Sequence, residues 1–183
     1  MKNLRSQLTQ KYRAKWETHR TNVAKLSLKD WRVLLATWFG CGTFFPGPGF
    51  WGTLGALPLG IVLLVLGGQV YVLAASIILL AIGVHVTRHT ENILKTHDSS
   101  IIVIDEAAGV MIPLAFVPLT PMGIVMAFLA FRIFDVWKPF PISYLDKRMG
   151  GAWGVMIDDI VAGIFAAIVM VIWSIYGINT NTL

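Results

Sequence analysis

The chain is poor in cysteine and in charge. One cysteine, Cys41, stands among 183 residues, so no intrachain disulfide can form and a Cys-x-x-Cys metal or redox motif is excluded. Six residues beyond Cys41 stands Gly47, so the Cys-x5-Arg loop of cysteine phosphatases is absent as well. Other catalytic patterns are missing too: a Gly-x-Ser-x-Gly elbow, an Asp-x-Asp of the phosphoaspartate kind, the four-Asp pattern of membrane alcohol phosphotransferases, and the Gly-Lys-Ser/Thr ending of a P-loop. No fixed-period repeat appears. The first thirty residues lack the short apolar core of a secretory signal, which predicts an uncleaved N-terminus. Charged residues make up 14% of the chain, where a soluble domain carries about a quarter.

What is abundant is apolar. Hydrophobic residues form 56% of the chain and the mean hydropathy is +0.69, which makes a membrane protein the default class. The apolar residues mass in three blocks, Leu54 to Val86, Ala107 to Phe134 and Ile160 to Ile178, each long enough to match a bilayer core of roughly 20 residues. The last block is the clearest span, with no charged side chain after Asp159. Pro58, Gly60 and Gly67-Gly68-Gln69 interrupt the first block, which fits one kinked span or a re-entrant hairpin. Pro113, Pro118 and Pro121 break the second, and broken backbone at membrane depth survives only where protein or a water-filled cavity satisfies it. The expected fold is therefore all-α: a membrane-embedded helical domain with broken or re-entrant helices and a C-terminal transmembrane helix.

Of the 15 Lys and Arg residues, nine lie between Lys2 and Arg32, opposed there by Glu17 and Asp30. Such an arm belongs on the cytoplasmic side of a membrane, attracted to anionic lipid. Residues 1–30 form a basic N-terminal arm in this reading and 31–183 a single membrane-embedded domain. An amphipathic surface segment is expected over Leu26 to Phe39, with Trp31 and Trp38 as interfacial aromatics. Nucleic acid is not an expected partner, since no recognition motif accompanies the basic residues.

Six of the ten acids, Asp105, Glu106, Asp135, Asp146, Asp158 and Asp159, lie at or beside apolar blocks. A carboxylate near hydrocarbon costs several kcal/mol unless paired, hydrogen-bonded or metal-bound, so these are candidates for function. Each adjacent pair, Asp105-Glu106 and Asp158-Asp159, has an equally good explanation as charge at a helix N-terminus. Together with Asp135 they offer the oxygen-rich set a hard divalent cation such as Mg²⁺ prefers. Arg132, Asp135 and Lys138 recur every third residue on one helix face, which suits either a phosphate clamp or an internal ion network. Pro139 and Pro141 stop that helix, and Lys147 and Arg148 read as interfacial anchors. The glycine-rich stretch Gly40 to Thr53 has amides able to cradle phosphate, with Gly42 and Gly49 as candidates, or serves only as turns. Gly150 to Gly154 invites the same pair of readings. His85 and His89, four apart, would share a helix face, with no third soft ligand to complete a transition-metal site.

Three stretches resemble the phosphatidylglycerophosphatase A family. Phe131 to Ile142 followed by Gly154 to Gly163 is similar to its "F-R-x-F-D-x-x-K-P-x-P-I … G-x-M-x-D-D-x-x-A-G" stretch. Ile104 to Gly109 resembles its "D-E-x-x-G" block, and Phe39 to Gly42 with Pro48-Gly49 and Gly52-Thr53-Leu54 its N-terminal glycine-rich block. Phe50 replaces a common Thr, Gly150-Gly151-Ala152 replaces a His-Gly-Gly, and the basic arm has no counterpart. The resemblance implies a mostly helical, Mg²⁺-dependent hydrolase converting phosphatidylglycerophosphate to phosphatidylglycerol, multi-pass in a bacterial inner membrane, with its site facing the cytoplasm. The expected metal-side residues are Asp105, Glu106, Asp158 and Asp159. Arg132 and Lys138 are expected to hold the phosphate, and Asp135 to orient or deprotonate the nucleophile, either water or an aspartate acting covalently. The rival reading is a small transporter whose carboxylates form an ion site.

Overall fold

A computed structural model describes residues 2–140, 142–144 and 149–179. Pro141, Asp146, Lys147, Arg148 and the polar tail after Asn179 lie outside the described residues. Among the described residues the main helices follow in order: α1 (Lys2–Lys25), α2 (Trp31–Ala36), α3 (Pro48–Leu94), α4 (Ile104–Leu114), α5 (Pro121–Trp137) and α6 (Gly151–Asn179), with a 3-10 turn at Cys41–Thr43. No strand occurs among the described residues.

The first apolar block is a helical hairpin. A straight helix of 47 residues would be about 70 Å long, yet Gly47 and Pro48 at its start and Thr96 and Ser99 after its end line one cavity. The turn is at Gly68, where φ 67° and ψ −156° leave helical geometry and glycine avoids a Cβ penalty. Pro58 and Gly60, expected to interrupt the block, lie within the helical run. The two arms flank α4 in opposite directions. On the first, Gly52 packs on Val103 and Gly60 on Met111 and Leu114. On the second, Gly83 faces Ile104 and Ser76 Oγ donates to the Ala108 carbonyl at 2.8 Å.

α3 and α6 are long and apolar enough to cross a membrane. Their exposed faces tell the same story as their composition: Val62, Leu66, Val70 and Ile77 on α3, and Ile164, Ile168, Ile172 and Ile175 on α6, stand outward. Such apolar surface is stable only against lipid or another apolar partner. The opposite face of α6 buries Ala162, Ala166 and Met170. α4, eleven residues long, is too short to cross a bilayer and is the buried centre of the fold. The chain then turns through Ala115 to Thr120 and returns as α5, which starts with Pro121 at its first position and Thr120 as its cap, Oγ1 accepting from Gly123 N at 3.1 Å. The proline-broken second block is thus a return pair.

This folding back concentrates charge. No Asp, Glu, Lys or Arg occurs between Arg32 and Arg88, between Glu106 and Arg132, or after Asp159, so the charged groups of the helical body meet at one end, where α3 starts and finishes and α4 begins.

The segment expected as one surface helix over 26–39 is instead a single short helix. Asp30 caps α2, and Trp38, Phe39 and Gly40 then take positive φ and end it. Trp31 is exposed, as an interfacial aromatic would be, whereas Trp38 is buried in the core. The basic arm forms α1 and is tied to the body: Tyr12, Trp16 and His19 surround Phe45 with ring centroids 5.2 to 5.4 Å away, and His19 Nε2–H donates to the Thr43 carbonyl at 3.0 Å.

Candidate active site

Asp105 and Glu106 occupy the first turn of α4, where the unsatisfied amides of a helix start favour negative charge. Asp159 arrives from α6. One oxygen from each of these three residues lies within 4.8 Å of the others. The approach depends on small residues at the crossing of α4 and α6: a Cβ on Gly163 would lie 2.4 Å from the Gly109 carbonyl oxygen, and one on Gly109 only 2.7 Å from the carbonyl of Asp159 itself. Helix capping does not explain Asp159, because α6 begins at Gly151, two turns earlier.

Asp158 points elsewhere. Adjacent helical residues project about 100° apart, and Asp158 Oδ2 accepts a short hydrogen bond from Lys138 Nζ. Lys138 is the left-handed cap of α5 (φ 43°), its amide bonded to the Phe134 carbonyl, and its ammonium acts on Asp135 as well as on Asp158. Arg132 and Asp135 remain an i, i+3 ion pair, Nη1 to Oδ2 at 2.5 Å.

Arg132 Nη1 also lies 3.4 Å from Thr53 Oγ1, and that hydroxyl donates to the Gly49 carbonyl at 2.8 Å. The start of α3 is thereby joined to the end of α5. Gly49 lies directly under Glu106: a Cβ there would come 2.2 Å from Glu106 Oε1 and 3.2 Å from Arg132 Nη1. Gly42 has a different setting, buried where a Cβ would meet the Ile101 carbonyl at 1.9 Å, so it packs the 3-10 turn against the chain entering α4. Thr53 has no role that the sequence alone suggests. Its signals are its place in the glycine-rich block and a hydroxyl four residues after Gly49, at the spacing that shares a helix face.

The acid cluster is built to hold positive charge. Asp105 Oδ1 and Glu106 Oε2 are buried with no hydrogen-bond partner, and buried polar atoms are normally satisfied. Burial pushes the Glu106 carboxyl up to about 8, with Asp159 and Asp135 adding to the rise and Asp105 and Arg132 opposing it. Burial also raises Asp105 well above the usual carboxylate range, reinforced by Glu106 and Asp158. A cation among these oxygens removes both penalties, and three carboxylates form the hard-oxygen donor set suited to Mg²⁺. His85 and His89 do not join it. His85 stacks on Trp31 at 6.5 Å between centroids, and His89 Nε2 pairs with Asp30 Oδ2 at 3.0 Å, which fastens α2 to the second arm of α3.

Comparison with known proteins places the chain in a family. A family profile described as phosphatidylglycerophosphatase A matches residues 34–174, leaving α1 outside. A phosphatidylglycerophosphatase A of Haemophilus influenzae is 40% identical over 84% of this chain and 94% of its own length. The Escherichia coli protein of that name is 40% identical over 80% of this chain and 86% of its own. A Bacteroides thetaiotaomicron protein, provisionally named a phosphatidylinositol-3-phosphatase, is 34% identical over 76% of this chain and 91% of its own. No solved structure matches. With a profile match over residues 34–174 and two relatives of that name 40% identical over most of the chain, this chain belongs to the phosphatidylglycerophosphatase A family.

Proposed function

We propose that the protein is a Mg²⁺-dependent lipid phosphatase that hydrolyses the terminal phosphomonoester of phosphatidylglycerophosphate to phosphatidylglycerol. The observation that carries this reading is the meeting of Asp105, Glu106 and Asp159 beside Arg132 and under the start of α3 at Gly49. Acidic groups for a cation and basic groups for a phosphate stand together there, at the end of helices whose outer surface suits lipid. The diacyl tails stay in hydrocarbon while the charged head group meets the polar end.

In the mechanism, Asp105, Glu106 and Asp159 would hold the ion. Bound there, Mg²⁺ supplies charge neutralisation of the phosphoryl oxygens and acidifies water. Arg132, held by Asp135 and Thr53, presents its guanidinium to the phosphate. Lys138 adds a second positive charge, and Asp158 fixes its position. The Gly49 N–H in the first turn of α3, where Phe50 and Trp51 already donate to the Gly47 carbonyl, adds a donor. Water attacks phosphorus as the bond to the glycerol oxygen breaks, and the proton that the water gives up passes to the departing alkoxide. Asp135, beside Arg132, orients the attacking water. Gly42 acts by shaping the turn that leads to Gly49.

The arm's excess of Lys and Arg supports a site facing the cytoplasm of a bacterial inner membrane. The transporter reading fares worse, because the carboxylates gather at one end of the helices. The test is phosphate release by purified protein from phosphatidylglycerophosphate, phosphatidic acid, a phosphatidylinositol 3-phosphate and a soluble phosphomonoester, with Mg²⁺ and with chelator. Preference for the first, lost with chelator, is expected. Equal turnover of all four would refute the substrate assignment, and full activity in chelator would refute the metal.

A further inference from the structure

Between α1 and the body lies a cavity of about 870 Å³ for which the proposed reaction has no use. One wall is the arm, presenting Lys11, Lys15 and His19; the other is Gly47 and Pro48 at the start of α3, with Ser99 and Ser100 before α4. Its charge is predominantly positive. Lys11 and Lys15 make no ion pair among the described residues, and Asp98 is the acid in the lining. The start of α3 at Pro48 adds the positive end of the helix dipole.

A second observation points to a ligand. His19 is 5% exposed. Its Nε2–H is committed to the Thr43 carbonyl, while Nδ1 is buried without a partner. A buried imidazole nitrogen of this kind ordinarily has a hydrogen-bond partner, and here the ring borders the cavity. Two lysines, two serines and a helix start are donors for a phosphate-bearing group, and the Nδ1 lone pair of His19 can accept from a P–OH hydroxyl of that group. Phe45 and Tyr12 in the same lining give it an apolar side suited to glycerol or acyl carbons.

We infer that this cavity is a second anion site, for a phosphate group carried by a lipid head group or a soluble phosphate, formed jointly by α1 and the two segments that lead into the acid cluster. The inference is independent of the phosphatase reading. Since Gly47-Pro48 leads into Gly49 and Ser99-Ser100 toward Asp105, an occupant braces the two segments that position Glu106. The family match starts at residue 34, so the wall that α1 contributes lies outside the matched region.

The test uses the full chain in phosphatidylcholine nanodiscs, with histidine side chains labelled with ¹⁵N and the His19 signal assigned by its loss in His19→Gln. Inorganic phosphate is titrated in one series. In the other, a growing share of phosphatidylcholine is replaced by phosphatidic acid. A saturable shift of the His19 signal is expected, with apparent affinity at least tenfold weaker in the double variant Lys11→Gln/Lys15→Gln, whose exposed side chains leave folding intact. Response to phosphate assigns a soluble ligand, and response to phosphatidic acid alone assigns a lipid head group. No shift in either series, or equal affinity in the double variant, overturns the site.

Discussion

Replacing Gly49 with alanine tests the architecture of the site without removing a functional group. The new Cβ would stand 2.2 Å from Glu106 Oε1, more than 1 Å inside ordinary contact. Its neighbour Thr53 is tied to the same turn through the Gly49 carbonyl, so the easier movement is of the carboxylate, displaced by about 1 Å from Asp105 and Asp159. A misplacement of that size costs on the order of 100-fold in rate. Alanine is the better helix former by up to about 1 kcal/mol, so folding should suffer little. The assay is phosphate release from phosphatidylglycerophosphate alongside thermal unfolding in the same detergent. The control is Gly150→Ala, where a Cβ meets nothing within 4 Å. The expected result is a loss of about 100-fold in kcat/KM for Gly49→Ala with Tm nearly unchanged, and normal activity for Gly150→Ala. Gly49→Ala with more than half the wild-type kcat/KM would refute the placement of Glu106 over the start of α3.

Three further outcomes follow from the same geometry. Because Asp105 and Glu106 have raised pKa values, the metal-free folded state holds protons the unfolded chain releases. Its stability should therefore fall as pH rises from the ordinary carboxylate range of about 4 towards about 8, where Glu106 ionises. The rise in Tm on adding Mg²⁺ should grow over that window, and a Mg²⁺ effect equal at pH 5 and pH 8 would contradict the buried cluster. Thr53→Val removes the hydroxyl between Arg132 and the Gly49 carbonyl, so kcat/KM should fall about tenfold for one lost hydrogen bond to a charged group, as read by steady-state kinetics. Gly163→Val would drive a side chain into the Gly109 carbonyl and should cost about 1 to 3 kcal/mol of stability by overpacking, measured by thermal or denaturant unfolding, together with most of the activity.

Much of the site is legible in the sequence because charge is scarce in this chain. With no Asp, Glu, Lys or Arg between Arg32 and Arg88 or between Glu106 and Arg132, each ionised group that does occur beside an apolar block demands a reason. Asp105, Glu106, Arg132, Asp135, Lys138, Asp158 and Asp159 stand out on that ground and again on their spacing. The all-helical architecture and the lipid-facing C-terminal helix follow from the lengths of the apolar blocks. The break in the first block is visible as Gly67-Gly68-Gln69, but a kink and a hairpin share that signature, because periodicity carries no information on the angle at which two arms continue.

The tertiary structure decided which residues meet. Asp159 joins Asp105 and Glu106 while Asp158 turns to Lys138, a division that neighbours in sequence cannot reveal, since it depends on how α6 is rotated against α4. That rotation is fixed by backbone contact at Gly109 and Gly163, more than fifty residues apart. The position of Gly49 beneath Glu106, and the use of His85 and His89 to fasten α2, likewise arise only when the α3 hairpin closes around α4. Sequence therefore determined the chemical inventory and the solvent of this protein, through residue type and hydropathy. Packing determined the partnerships, because distances between residues far apart in the chain are set by helix crossings that no local pattern encodes.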